Sequence, residues 1–366
     1  MTEFNKYEYE VGIRKELLQK GIPTMLPFRK FPRLMEKLPG IIRGEFLLLT
    51  GLSGDGKSRF LKAIIKDFVD FSKGHNIKCK IFLNSLEETP EKIRSSVIAS
   101  AVFIKYGVQL TYFQINNYGL KWSEENDKIE QMVKSVQDEV NAFFNDFEYC
   151  TIANPYGFFL KVTEYLFNNG TFYQDDVKVT SWEVVKQGSK HWNKYVANDA
   201  SQFVIAVTDT VDALMPESGK SQYETVKDFS KFFSRKLLGM TCGVATIFVQ
   251  QQDSDLNRVV TNFKGETLLD KCKPGLDKLL VCKAVQQDCT IAFGLFDPVR
   301  YNEDYYLDYD LNRFKTDGNF RSLMILKTRE GNNLRNAEIP LMCYFGRDEF
   351  VELPLPTSLE ISKFYQ

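Results

Sequence analysis

The chain is poor in the residues that most often carry metal and redox chemistry. It has only two histidines, His75 and His191, and its seven cysteines, Cys79, Cys150, Cys242, Cys272, Cys282, Cys289 and Cys343, include no CxxC pair. A zinc site is not expected from such a set, and an odd, scattered group of thiols fits free cysteines in a reducing cytosol. Long apolar runs are also missing: none reaches the about 18 residues of a membrane helix. The opening segment MTEFNKYEYE lacks the basic-then-apolar order of a signal peptide. A soluble, cytoplasmic protein without membrane contact is the expectation. Neither charge sign dominates, with 47 Lys and Arg against 48 Asp and Glu, so any contact with nucleic acid must use a local basic surface.

What is present is an ordinary globular composition, 43% hydrophobic and 26% charged over 366 residues. That length accommodates one large α/β domain with an appendage or two small domains, and the strand pattern favours the first. Charged and apolar residues interleave in two stretches, Tyr7 to Lys20 and onward to Leu38, interrupted at Gly21-Ile22-Pro23. They predict a helical N-terminal arm or linker over residues 1–40, with the main domain spanning 41–366. Apolar runs then recur at Glu45 to Thr50, Lys78 to Ser85, Gln202 to Thr210, Val244 to Gln252, Cys289 to Phe296 and Phe320 to Glu330. Strands of this kind separated by helical segments predict a mostly parallel, doubly wound sheet flanked by helices. One of those helices is announced by Thr89 as cap and Pro90 in the first turn. Residues 110–192 are aromatic and polar without a motif, and read as an elaborated crossover or an insertion.

The run GLSGDGKS follows the first strand and opens a helical segment. It has the spacing of a phosphate-binding loop, which a chain of this size matches by accident roughly one time in a hundred. Its glycines, Gly51, Gly54 and Gly56, let backbone N–H groups curl around phosphate oxygens, with Leu52, Ser53, Asp55 and Arg59 completing the candidate contacts to ATP. Lys57 would reach the β and γ phosphates, and the Ser58 hydroxyl would ligate Mg2+. Hydrolysis needs two further acids, one near the metal and one to polarise water. Asp209 ends the strand FVIAVTD at the sheet edge where the loop lies, with Asp212 as its neighbour and competitor. Glu87 and Glu88 follow another strand to the same edge, and either could serve as the base. Gln250, Gln251 and Gln252 end a third, where an amide could sense the γ phosphate.

Taken in order, these motifs resemble the DnaB-like, superfamily 4 replicative helicases, whose ATPase core has the RecA fold. The resemblance spans most of Gly21 to Pro354. It rests on GIPTMLPF, PGIIRGEFLLLTGLSGDGKS, NSLEETPEKIRSSVIAS, VTDTVDAL, VQQQ, VQQDCTIAFGLFDP and ILKTREG. It places the catalytic glutamate on Glu87, the metal-associated acid on Asp209 and the sensor amide on Gln251. It further implies that Lys327 and Arg329, two apart and so on one side of a strand, act on the ATP site of a neighbouring subunit. A hexameric ring moving on single-stranded DNA follows from the resemblance, with Thr261 to Lys283 and its lysines 264, 271, 273, 278 and 283 falling where the family places a DNA-binding loop. Replication proteins are possible further partners. The sequence departs from the family in Thr-Val-Asp after Asp209 and in a long stretch between Glu87 and Asp209, and with so few residues before Gly21 a primase-recruiting collar is not expected. A RecA- or RadA-like recombination ATPase, or a nucleotide-switched loader that unwinds nothing, remains the alternative.

Overall fold

The computed structural model describes residues 3–119, 123–188, 190–261, 267–315, 318–329 and 337–366. A helix, α1 (Glu3–Gln19), opens the chain. The following stretch departs from the helical arm that its pattern predicts. Met25–Pro27 pairs antiparallel with Gly40–Ile42, and only Pro32–Lys37 is helical. Pro23, Pro27, Pro32 and Pro39 explain this, since each removes a backbone donor and Pro32 and Pro39 mark the start and the end of the only helix of this stretch. Leu26, Phe28, Phe31, Leu34, Leu38 and Ile41 are buried in the core beneath the helix Lys57–Gly74. The break expected at residue 40 therefore does not coincide with a break in packing.

Among the described residues, nine strands form one sheet: β1 (Phe46–Gly51), β2 (Cys79–Ser85), β3 (Phe147–Cys150), β4 (Phe203–Asp209), β5 (Ala245–Gln251), β6 (Ile291–Phe296), β7 (Asn319–Thr328), β8 (Ala337–Tyr344) and β9 (Glu349–Glu352). Their spatial order is β9-β8-β7-β6-β1-β5-β4-β2-β3. Every pairing from β3 across to β6 is parallel, and those from β6 to β9 are antiparallel. The central strands are apolar throughout because both faces are covered. Leu47, Leu49, Ile205, Val207, Ile247 and Val249 pack toward α2 (Lys57–Gly74). Phe46, Leu48, Val204, Ala206 and Phe248 pack toward the opposite layer, where α4 (Pro155–Asn169) contributes Phe158, Phe159 and Val162.

The crossover helix α3 (Pro90–Tyr106) begins where Thr89 accepts a hydrogen bond from the Lys92 N–H and ends at Gly107 in the left-handed region. Residues 110–192 then do three things. Helices Glu124–Ser135 and Gln137–Phe144 cover α3 through Ile129, Val136 and Val140 against Ile98 and Val102. The edge strand β3 and helix α4 extend the main layers. A three-stranded antiparallel sheet begins with Gly170–Gln174, and beside it the buried Trp192 indole N–H donates to the Val185 carbonyl at 2.8 Å.

Register brings the chemistry to one edge. Gln251 pairs with Gly51, and Asp209 pairs with both Val249 and Ser85. The loops after β1, β2, β4 and β5 consequently emerge together at the carboxyl ends of the parallel strands, the usual ligand edge of such sheets.

Candidate active site

The loop between β1 and α2 takes its shape from glycine. Gly54 and Gly56 sit at φ +86° and +98°. A Cβ at Gly56 would also lie 3.0 Å from the Phe345 ring, so conformation and space both demand its absence. Helix α2 starts at Lys57 with no side-chain cap, which leaves its first N–H groups and positive end directed at the loop. Lys57 is buried and donates to the Leu52 carbonyl at 2.8 Å. Burial lowers its pKa, against the opposing pull of Asp55, Asp209, Asp212 and Glu87. Arg59 faces away from the loop interior, pairing with Asp348 at 3.2 Å and lying over the Phe345 ring.

Of the two acids after β4, the geometry separates the roles. The Ser58 hydroxyl donates to Asp209 Oδ1 at 3.2 Å. Asp212 instead accepts from the Gln251 N–H at 2.6 Å and the Thr210 hydroxyl at 2.9 Å, so its carboxylate braces the turn. Burial pushes Asp209 up to about 6, helped by Glu88 and Glu87, which leaves negative charge crowded in a dry place. An oxygen-only pair such as Ser58 and Asp209 suits a hard divalent cation. Among the described residues no group of three or more His, Cys, Asp or Glu forms a ready metal cage.

Glu88 is engaged by Lys62 at 3.2 Å, and Lys62 also pairs with Asp348 at 2.8 Å. Glu87 is exposed and receives the Gln251 side-chain amide at 3.4 Å. The neighbouring glutamines point elsewhere: Gln250 donates to the Cys282 carbonyl, and Gln252 bridges Thr50 at 2.8 Å and Gly275 at 3.0 Å. Loop, Ser58, Asp209, Glu87 and Gln251 are thus brought together.

Lys327 and Arg329 are not. Because β7 runs antiparallel to β6, Thr328 pairs with Ile291, which in turn pairs with Leu47. The loop begins at Gly51, four residues further along β1, or about 13 Å at the usual rise. Lys327 donates to the Gln286 carbonyl and Arg329 to that of Gln287. Burial lowers the Lys327 pKa, and Arg329 and Arg235 add to the effect. In the lysine-bearing segment, Lys264 lies outside the described residues. Lys273 pairs with Asp270 at 2.9 Å and Glu338 at 3.1 Å, while Lys278 donates to two backbone carbonyls. Lys271 and Lys283 remain exposed.

Sequence reasoning missed a second layer behind the loop. Arg300 pairs with Asp55 Oδ1 at 2.8 Å, and donates to the Ser53 carbonyl at 2.7 Å and to Asn257 at 3.0 Å. Arg321 donates to the Asp55 carbonyl at 3.0 Å and pairs with Asp297 at 3.0 Å. Asp55 itself accepts from the Leu52 N–H at 2.8 Å, and burial pushes it up to about 6 despite the two arginines and Lys57. The only local signal was an aspartate inside a loop built for anions, which demands a cation from elsewhere.

No family model and no curated protein matches the chain, whereas solved structures do. It is similar to the ATPase domain of G40P, 17% identical over 95% of this chain and 98% of that one, with a TM-score of 0.57. It is also similar to a DnaB-like replicative helicase described with its interactions with primase. That match is 16% identical, covers 94% of this chain and 67% of the other, and has a TM-score of 0.60. The fold is accordingly the RecA-like P-loop fold that these two structures share, the fold class expected from the sequence.

Proposed function

We propose that the chain is an ATP-hydrolysing DNA helicase that assembles as a ring, most simply a hexamer, and moves on single-stranded DNA. The observation that carries this reading is the placing of the phosphate loop and the Lys327 and Arg329 pair at opposite edges of one sheet. A chain arranged so cannot complete its own site, but a head-to-tail neighbour can, and head-to-tail contacts give a ring when the rotation between neighbours closes.

Each residue then has a task. The N–H groups of Gly54 to Ser58 and the ammonium of Lys57 hold the β and γ phosphates. Ser58 and Asp209 would hold Mg2+, which would supply charge to offset that on the phosphate oxygens. Glu87 orients and deprotonates the attacking water. Gln251 registers whether a γ phosphate is present, a role that its contact with Glu87 supports. Lys327 and Arg329 from the adjacent copy balance charge as the terminal phosphoryl group departs. The exposed Lys271 and Lys283 offer sequence-independent contacts to DNA phosphates. Replication proteins are the partners such a ring would serve.

ATPase rates with and without single-stranded DNA, mass by light scattering, and strand displacement on a forked duplex test the proposal together. DNA-stimulated hydrolysis by a ring that unwinds the fork is the expected result. A monomer hydrolysing ATP at full rate would overturn it. Filaments would favour the recombination reading, and hydrolysis without unwinding the loader reading.

A further inference from the structure

A carboxylate buried inside a phosphate-binding loop is an electrostatic contradiction. Asp55 lies between Gly54 and Gly56, is almost fully buried, and would repel the triphosphate that the loop is shaped to receive. Two observations show how the fold resolves this. Arg300, on the short turn Pro298–Tyr301 after β6, reaches Asp55 Oδ1 at 2.8 Å and with the same nitrogen the Ser53 carbonyl at 2.7 Å. Its guanidinium passes 3.4 Å from where a Cβ would stand on Gly54, so the loop is wrapped against it. The other Asp55 oxygen accepts the Leu52 N–H, which ties the first residue after Gly51 to the residue before Gly56.

We infer that Arg300 is a positioning residue for nucleotide: by neutralising Asp55 it holds the phosphate loop in its binding shape and removes a repulsive charge from the site. This rests on nucleotide binding by the loop, and not on ring assembly or on DNA. The groups facing Asp55 are Arg300, Arg321, Lys57 and the Leu52 N–H. Arg321 touches the loop through the Asp55 carbonyl and is matched by Asp297, and Lys57 is committed to Leu52 and, in the proposed reaction, to phosphate. Arg300 is therefore the cation assigned to this carboxylate. Without it Asp55 would stay buried and be held charged less firmly, so repulsion of phosphate would grow as pH rises and the acid ionises.

The test is MgATP affinity by calorimetry for the full chain and for Arg300→Ala, Arg300→Lys, Asp55→Asn and the Asp55→Asn/Arg300→Ala double variant, at about pH 6.5 and about pH 8. Arg300→Ala should weaken binding at least about tenfold at the higher pH and less at the lower, with Arg300→Lys intermediate. Asp55→Asn keeps an acceptor for Leu52 and removes the charge, so the double variant should return to within about threefold of the parent. A double variant as weak as Arg300→Ala, a loss equal at both pH values, or an Arg300→Ala protein that binds like the parent would each overturn the inference. A parent chain that does not bind MgATP would instead overturn the reading of the loop.

Discussion

Replacing Arg329 with alanine separates a shared site from a self-contained one. Arg329 follows β7 at the end of the sheet remote from the chain's own loop, about 13 Å or more away along β1. Measured on the dilute, unassembled chain, MgATP affinity should consequently stay within about threefold of the parent's, since distant sites act independently. Turnover should fall about a thousandfold, or about 4 kcal/mol of transition-state stabilisation, the lower end for a residue balancing charge on a departing phosphoryl group. Lys57→Ala should be inactive for the opposite reason, having lost the loop's own cation. Mixing the two dead proteins in equal amounts and allowing subunits to exchange is the informative assay. In a head-to-tail ring, about one interface in four then joins an intact loop to an intact Arg329, and about a quarter of parental activity per site should return. No recovery in the mixture, or an Arg329→Ala protein that turns over ATP like the parent, would refute the shared site.

Asp209→Asn should abolish magnesium-dependent hydrolysis yet stabilise the metal-free protein, because it removes a buried charge while keeping an acceptor for Ser58. With Asp209 and Asp55 both raised to about 6 in the fold, their contribution to stability is complete below the ordinary carboxylate range and lost as pH rises through 6. The melting temperature of the metal-free protein should therefore fall from about pH 4 to just above pH 6, and Asp209→Asn should flatten part of that slope. Gly56→Ala places a Cβ 3.0 Å from Phe345 at φ +98°. It should cost about 1–2 kcal/mol in urea melts and remove nucleotide binding. Phe248→Ala empties a fully buried place between Phe46 and Phe229 and should cost about 3–5 kcal/mol by the same measurement.

The parallel core was legible because strands covered on both faces leave apolar runs that nothing else explains: FLLLTG, FVIAVTD and ATIFVQQ stand in the sequence almost as they stand in the sheet. The site's front was legible for a related reason, since a ligand edge at strand termini turns each strand's last residues into candidates. Choosing among those candidates required coordinates. Whether Glu87 or Glu88 faces the site depends on Lys62, and whether Asp209 or Asp212 does depends on the Gln251 N–H. Residues 22–38 were misread because amphipathic spacing does not register proline geometry or burial against a helix not yet placed. The Asp55, Arg300 and Arg321 layer joins residues more than 240 positions apart, and no periodicity connects them.

In the isolated chain Lys327 and Arg329 are already satisfied, each donating to a backbone carbonyl of the short helix Val285–Asp288. Acting in the proposed ring means exchanging these neutral acceptors for anionic phosphate oxygens, which adds charge–charge attraction to hydrogen bonds whose donors are already ionised. The exchange is thus favourable only when a neighbour presents a triphosphate. Desolvation already disfavours the charged form of Lys327, and Arg329 and Arg235 crowd it further, so an incoming anion relieves like-charge repulsion as well. By linkage, whatever ATP contributes to holding the ring together, the ring must contribute equally to holding ATP. ATP affinity should therefore rise with protein concentration across the assembly range, and Arg329→Ala should lose that dependence while keeping the affinity of the dilute chain. Sedimentation of the parent and the variant at matched concentrations, with and without a non-hydrolysable ATP analogue, decides it. Nucleotide-independent assembly of both would break the link between the basic pair and the neighbouring phosphate.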